Sequence, residues 1–331
     1  MAEGRLLRKL IRAGSGADNE DFRTAAEELI RLEREKKHHL LANDLERILY
    51  GERSSPARSS RPLFQALPKD RERGLDLVEF REPVRDLNDL VLSDENRSVL
   101  QETLLEQDRI ELLASFGLKP ISRLLFCGPP GCGKTLAAEV LATELGLPLA
   151  TVRFDAVVSS FLGETAANLR KVFDFLGVHR VVALFDEFDA IGKEREDPTE
   201  HGELKRVVNS FLQMVDSYRG PSLLIAATNH ERVLDRAIWR RFDEVLFFDK
   251  PNLEQIRQLL PVKLRGVRYE LPLSDPGFLN QFTGFTHASI ERVLIRSIKA
   301  MALKGRQFLT IDLLSESRER EERRTTLLSK L

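Results

Sequence analysis

Residues 128–135 read Gly-Pro-Pro-Gly-Cys-Gly-Lys-Thr, and this octet narrows the folds open to the chain more than any other stretch. It fits the P-loop pattern of Gly, four residues, then Gly-Lys-Thr. It lies between the apolar run Leu124-Leu125-Phe126-Cys127 and the strong helix former Leu136-Ala137-Ala138-Glu139-Val140-Leu141-Ala142. Strand, Gly-rich turn and helix N-terminus is the setting in which such a pattern has a physical meaning. Backbone N–H groups of a wide turn, with the positive end of a helix dipole, form a concave anion site. Gly128, Pro129, Pro130 and Gly131 make the turn, and Cys132 and Gly133 lead into the helix. Gly131 and Gly133 let backbone approach phosphates with no Cβ in the way. Lys134 is placed to reach the β- and γ-phosphates of a nucleotide and the Thr135 hydroxyl to ligate Mg²⁺, with Leu136 closing the expected contact.

A nucleotide site needs a carboxylate for the metal. Residues 181–189, Val-Val-Ala-Leu-Phe-Asp-Glu-Phe-Asp, supply an apolar run closing on acids. Such a run suits a parallel strand buried on both faces, and the carboxyl end of that strand is where α/β sheets bind ligands. Asp186 is expected to hold Mg²⁺ through water and Glu187 to polarise the attacking water. A third strand, Ser222-Leu223-Leu224-Ile225-Ala226-Ala227-Thr228-Asn229, ends on an amide able to bond both the γ-phosphate and that water. An Asn in such a place is most often a turn residue, so the role of Asn229 rests on what stands around it.

Together these residues resemble the AAA family of ATPases. Gly128 to Thr135 is similar to its Walker A motif, Phe185-Asp186-Glu187-Phe188-Asp189-Ala190-Ile191 to its Walker B motif, and Ala227-Thr228-Asn229 to its sensor 1. Leu234-Asp235-Arg236-Ala237-Ile238-Trp239-Arg240-Arg241-Phe242-Asp243 resembles the segment carrying the family's arginine fingers, in the Arg-Arg-Phe form of endosomal-sorting and microtubule-severing relatives. The likeness covers roughly residues 85–315. It implies an α/β P-loop NTPase, a three-layer αβα core with a small C-terminal helical lid, acting on ATP with Mg²⁺. Family fingers reach the neighbouring subunit's nucleotide, so Arg240 and Arg241 imply a homo-oligomeric ring, a hexamer. A guanidinium supplied in trans stabilises the charge of the transferring phosphoryl group. The two arginines are adjacent here, without the Pro-Gly that separates them in many relatives, and either one could reach the nucleotide. Cys132 replaces the usual Thr, at a position that mainly offers its N–H. Gly284-Phe285-Thr286-His287-Ala288-Ser289 resembles the family segment near the adenine, which makes His287 and Ala288 candidate base contacts, with His287 equally suited to cap or pack the start of a helix. No Arg stands at the sensor 2 position.

Between the first two motifs, Val158-Ser159-Ser160-Phe161-Leu162-Gly163-Glu164 resembles the family's pore loop. The resemblance makes Phe161 and Leu162 the grips on an extended polypeptide and Gly163 the hinge. An aromatic side chain offers a large contact area at low entropic cost, which suits sequence-independent gripping. Gly163-Glu164-Thr165 then caps a helix from Ala166 to Phe175. The charged run Lys193 to His201 is a second channel loop by the same likeness.

Charge is balanced, 51 basic against 52 acidic residues, so no electrostatic footprint for nucleic acid shows. No signal peptide or membrane-spanning stretch is visible, which fits a cytoplasmic protein. The two cysteines, Cys127 and Cys132, flank the phosphate-binding turn and read as buried, reduced thiols. Residues 1–51 read as a short helical bundle expected to recruit a client or adaptor, and 52–74, rich in Ser, Arg and Pro, as a linker. The ATPase domain is expected over 75–250, the lid over 251–315 and a charged helix over 316–331. The layout resembles that of the endosomal-sorting ATPase, and the stronger overall resemblance is to stand-alone bacterial members of the family whose genes often sit beside a subtilisin-like peptidase, which makes such a peptidase a candidate partner. The leading expectation is ATP-driven remodelling, unfolding or translocation of protein clients. A nucleic-acid-handling ATPase, such as a loader, and a nucleotide-gated scaffold with little turnover are the alternatives.

Overall fold

The computed structural model describes residues 26–28, 67–71, 73–157, 162–188, 200–229 and 239–328. The three apolar runs become the middle of a sheet. Its strands are β1 (Val78–Arg81), β2 (Arg123–Cys127), β3 (Leu149–Val152), β4 (Val182–Phe185), β5 (Leu223–Thr228) and β6 (Glu244–Phe247). They lie in the order β1-β3-β4-β5-β2-β6, parallel except for β1, which pairs antiparallel with β3. All residues of β4 and β5 are buried, as the unbroken apolar runs require.

Side chains alternate across this sheet with period two. Leu124, Phe126, Val182, Leu184, Ile225 and Leu246 share one core with Ala137, Ala138, Val140 and Leu141 of α3 (Lys134–Leu145) and Leu100 of α1 (Asp94–Asp108). Phe185, on the opposite face, meets Phe173 of α5 (Leu162–Val178) and Phe211 of α6 (Glu200–Ser217) at ring distances of 5.5 and 5.1 Å. Helices therefore cover both faces, giving an αβα arrangement. Short helices α2 (Ile110–Ser115) and α4 (Phe154–Val157) complete the core, and α7 (Leu253–Lys263), α8 (Pro276–Asn280), α9 (His287–Leu303) and α10 (Ile311–Leu328) follow it.

Among the described residues, compactness groups those within 65–259 with 274–292, and 260–273 and 293–328 with 26–28. In the second group Tyr269 bridges Leu309, the Glu270 N–H donates to the Leu309 carbonyl at 2.9 Å, and buried Leu309 and Leu313 supply apolar contacts. Of the expected N-terminal bundle only residues 26–28 are described, and they are helical. Residues 67–71 and 73–74, the end of the expected linker, form a turn in place of free chain. Lys69 bridges Asp76, and Asp70 accepts from the Arg73 N–H and from Asn168 Nδ2 of α5, both at 2.9 Å. No helix among the described residues is long and apolar enough to cross a membrane.

A buried polar knot ties the amino ends of β4 and β5 to α5. Tyr218 Oη donates to the Leu176 carbonyl at 2.9 Å and accepts from the Ser222 N–H at 2.9 Å, while Ser222 Oγ accepts from the Val181 N–H at 3.1 Å. Tyr218→Phe strands the Ser222 N–H in the interior, while the Leu176 carbonyl keeps Ser222 Oγ as a donor at 3.1 Å. We expect it to cost about 1–3 kcal/mol in denaturant unfolding, without a change in nucleotide affinity.

Candidate active site

The turn after β2 is shaped by three glycines at positive φ, Gly128, Gly131 and Gly133 (φ 102°). Gly128 (φ 135°) lies so close to Phe248 that a Cβ would stand 2.1 Å from its carbonyl oxygen, and the Phe248 N–H donates to Cys127 at 2.8 Å. Gly131 (φ 77°) faces the start of α9, where a Cβ would meet Ala288 at 2.9 Å and Thr286 Oγ1 at 3.2 Å. The Ala288 N–H donates to the Gly131 carbonyl at 2.9 Å, so the segment expected beside the base also anchors the turn. His287 opens α9, and both ring nitrogens lie below the surface. Leu90 reaches to 4.0 Å of the Cβ position on Gly133, a neighbour the motifs did not announce.

Lys134 leads α3 yet is only 6% exposed, and its ammonium donates to the Gly128 and Pro129 carbonyls at 2.6 and 3.0 Å. Its charge is thus held across the mouth of the turn, where low dielectric strengthens attraction to phosphate. Cys127 and Cys132 are free and buried. Burial pushes the Cys132 thiol up in pKa, against the pull of nearby Lys134, and keeps it protonated.

Strand register brings the acids to this turn. β5 pairs with both β2 and β4, with Cys127 opposite Thr228 and Phe185 opposite Ala226, so the three strands end on one edge. Thr135 Oγ1 donates to Asp186 Oδ2 at 2.8 Å, which puts the two expected metal oxygens in contact although they come from different elements. Two protein oxygens suit Mg²⁺, which keeps several waters and takes further ligands from phosphate. The backbone cradle and these oxygens fit a Mg²⁺-nucleotide.

Glu187 is the one non-glycine residue at positive φ (52°) among the described residues, in a conformation costing of order 1–3 kcal/mol. The turn is held by its N–H on Asp186 Oδ1 at 3.0 Å, and Asn229 Nδ2 stands 3.4 Å from Glu187 Oε1. The strained turn leaves the carboxylate exposed at the strand edge beside the amide that ends β5.

Arg240 and Arg241 stand apart from this cluster in their contacts. Arg240 is exposed, whereas Arg241 Nε pairs with Asp216 Oδ2 at 3.0 Å. Just after them Asp243 accepts from the Ser122 and Arg123 N–H groups, both at 2.9 Å, and from Arg123 Nη2 at 2.6 Å. Burial opposes ionisation of Asp243, but the Arg123 guanidinium and these N–H groups outweigh it and hold its carboxyl below the usual carboxylate value. Leu162 and Gly163, expected in a pore loop, form the first turn of α5. Phe161, Asp189, the run 189–199 and residues 234–238 lie outside the described residues.

The turn is tightest at Gly128, and Gly128→Ala sets a side chain against the Phe248 carbonyl at a φ that disfavours any Cβ. It is expected to lose nucleotide binding in a fluorescent-nucleotide titration and about 2–4 kcal/mol of stability.

Comparison with known proteins bears on the same residues. Residues 124–250 match the profile of the ATPase family associated with various cellular activities (AAA). The chain is 45% identical over 308 residues to the uncharacterized AAA family ATPase y4kL of Sinorhizobium fredii, covering 93% of this chain and 92% of that protein. It is 29% identical over 240 residues to the ATP-dependent zinc metalloprotease FtsH 2 of Petrotoga mobilis, and 32% identical over 213 residues to the FtsH of Aquifex aeolicus. These alignments span only 38% and 33% of the two metalloproteases.

Proposed function

This chain belongs to the AAA family of ATPases and hydrolyses ATP, and we propose that it spends that hydrolysis on remodelling, unfolding or translocating protein clients through a ring of its own copies. The observation that carries the hydrolytic part is the convergence of Lys134, the Thr135–Asp186 pair and the Glu187–Asn229 pair at one edge of β2, β4 and β5.

Each residue has a task that follows from its chemistry. The N–H groups at the start of α3 and the Lys134 ammonium bind the β- and γ-phosphates. Thr135 and Asp186 would hold Mg²⁺, which when bound would supply neutralisation of the developing phosphate charge. Glu187 accepts the proton of the attacking water as its oxygen bonds the γ-phosphorus and the bond to the β-phosphate oxygen breaks, leaving ADP and phosphate. Asn229, already beside Glu187, orients that water. The Gly131–Ala288 bond supports a role for the 286–289 segment in sensing whether the phosphate cradle is filled.

The client reading rests on the aromatic-apolar-Gly triplet Phe161-Leu162-Gly163 and on the FtsH relatives, whose names mark them as ATP-dependent metalloproteases. In that reading residues 1–51 recruit the client or adaptor, the lid follows the ATPase domain, and a separate peptidase is one class of partner.

Glu187→Gln should bind ATP like the parent while phosphate release falls about 100- to 1000-fold. Lys134→Ala should lose binding itself. Undiminished phosphate release from Glu187→Gln would remove Glu187 from the mechanism. For the grip, Phe161→Ala should stop processing of an unfolded client and Phe161→Tyr should keep it, since the ring supplies the contact.

A further inference from the structure

The arginine pair invites a division of labour, because its two members are held so differently. Asp216 occupies the last turn of α6, the negative end of the helix dipole, and no basic residue shares that turn. A carboxylate there is disfavoured by its own helix. Its charge is answered from outside, by Arg241 Nε at 3.0 Å, with 45% of the Asp216 side chain and 28% of the Arg241 side chain exposed. An ion pair of that exposure adds little to stability, too little to make stability its main consequence. What it does fix is direction.

The described part of the turn is held at several points. Phe242 is buried, and its N–H donates to the Trp239 carbonyl at 3.3 Å. The Trp239 ring packs on Phe247 of β6 at 5.4 Å. Asp243 is bolted to Ser122 and Arg123 at the head of β2, the strand that ends in the phosphate cradle. Within this frame Arg240 alone is left over. It is exposed, and among the described residues no hydrogen bond or ion pair engages its guanidinium.

The geometry points to Asp216 as a positioning residue: it claims Arg241 within the subunit, so that Arg240 is the guanidinium presented to the nucleotide of an adjacent copy. This rests on the ring reading given above. Two adjacent arginines compete for one anion, and tethering the second removes the competitor while setting the angle of the first. Arg241 and Asp216 then act through Arg240 and touch no phosphate themselves. The ion pair also connects the arginine turn to α6, so a movement of that helix turns Arg240 in or out of the neighbouring site.

The test is steady-state hydrolysis by the full chain, with each variant assayed alone and mixed in equal amounts with Glu187→Gln. Arg240→Ala should lower kcat at least about 100-fold with KM for ATP within about twofold, the pattern of a group acting on the transition state. Asp216→Asn and Arg241→Ala should each lower kcat about tenfold by misdirecting Arg240, and Asp216→Glu should restore most of it. The melting temperature of Asp216→Asn should stay within about 2 °C of the parent. In the mixtures Arg240→Ala should recover to about a quarter of parental activity, since half the subunits keep Glu187 and half of those meet an intact neighbour. Asp216→Asn should exceed its unmixed rate in the same way, because its defect lies in a neighbour's site.

Parental kcat in Asp216→Asn, or a larger loss from Arg241→Ala than from Arg240→Ala, would overturn the assignment. So would an Asp216→Asn defect that no mixture relieves. Failure of the underlying reading has a different signature: Glu187→Gln alone would then hydrolyse ATP normally, or no variant would be rescued in any mixture.

Discussion

Parallel pairing of β5 with β2 on one side and β4 on the other is the constraint on which the site depends. It brings to one edge three chain segments far apart in sequence: the phosphate turn, the acidic pair and the terminal amide. A slip of one residue in either pairing would turn every side chain of β5 to the other face. The slip is resisted because β5 is buried throughout, with Ile225 and Ala227 in the α3 core and its whole length apolar up to Thr228. Packing energy thus fixes the distance between Thr135 and Asp186, groups that would otherwise have no reason to meet.

Local strain is placed where the chemistry is. Gly128 and Gly131 take conformations that side chains avoid, each pressed against another segment, and Glu187 takes one without being glycine. Backbone bonds from Phe248, Ala288 and Glu187 itself hold these turns. Contacts made by Phe248 and by the start of α9 mean that the phosphate cradle is not a property of the octet alone. It is assembled from β2, the residue after β6 and the start of α9, so occupancy of the cradle and the position of those residues are energetically linked.

Much of this was legible in the sequence because its signals are local. The octet between an apolar run and a helix former gave the turn, and unbroken apolar runs gave β4 and β5. The acids and the amide followed as the residues ending those strands. Strands β1, β3 and β6 were not legible. Each has four residues, and β1 and β6 sit at the sheet's edges, where half-exposed positions blur the apolar pattern. Helix α5 starts earlier than the capping pattern suggested, taking in Leu162 and Gly163 despite the cost of glycine in a helix. The order at 67–71 and 73–74 was hidden because it depends on Asn168, a partner nearly a hundred positions away. Asp216 and Asp243 were likewise silent, since an acid reads as surface until the arginine or backbone it serves is known.

The proposed cycle depends on ATP binding assembling copies whose arginines complete one another's sites. The most direct measurement is the mass in solution of the full chain carrying Glu187→Gln, with and without Mg²⁺-ATP. A nucleotide-dependent shift to about six subunits is the predicted result, because a ligand that binds the assembled state stabilises it by mass action. A monomer at saturating nucleotide would contradict the ring and, with it, the supply of arginine in trans.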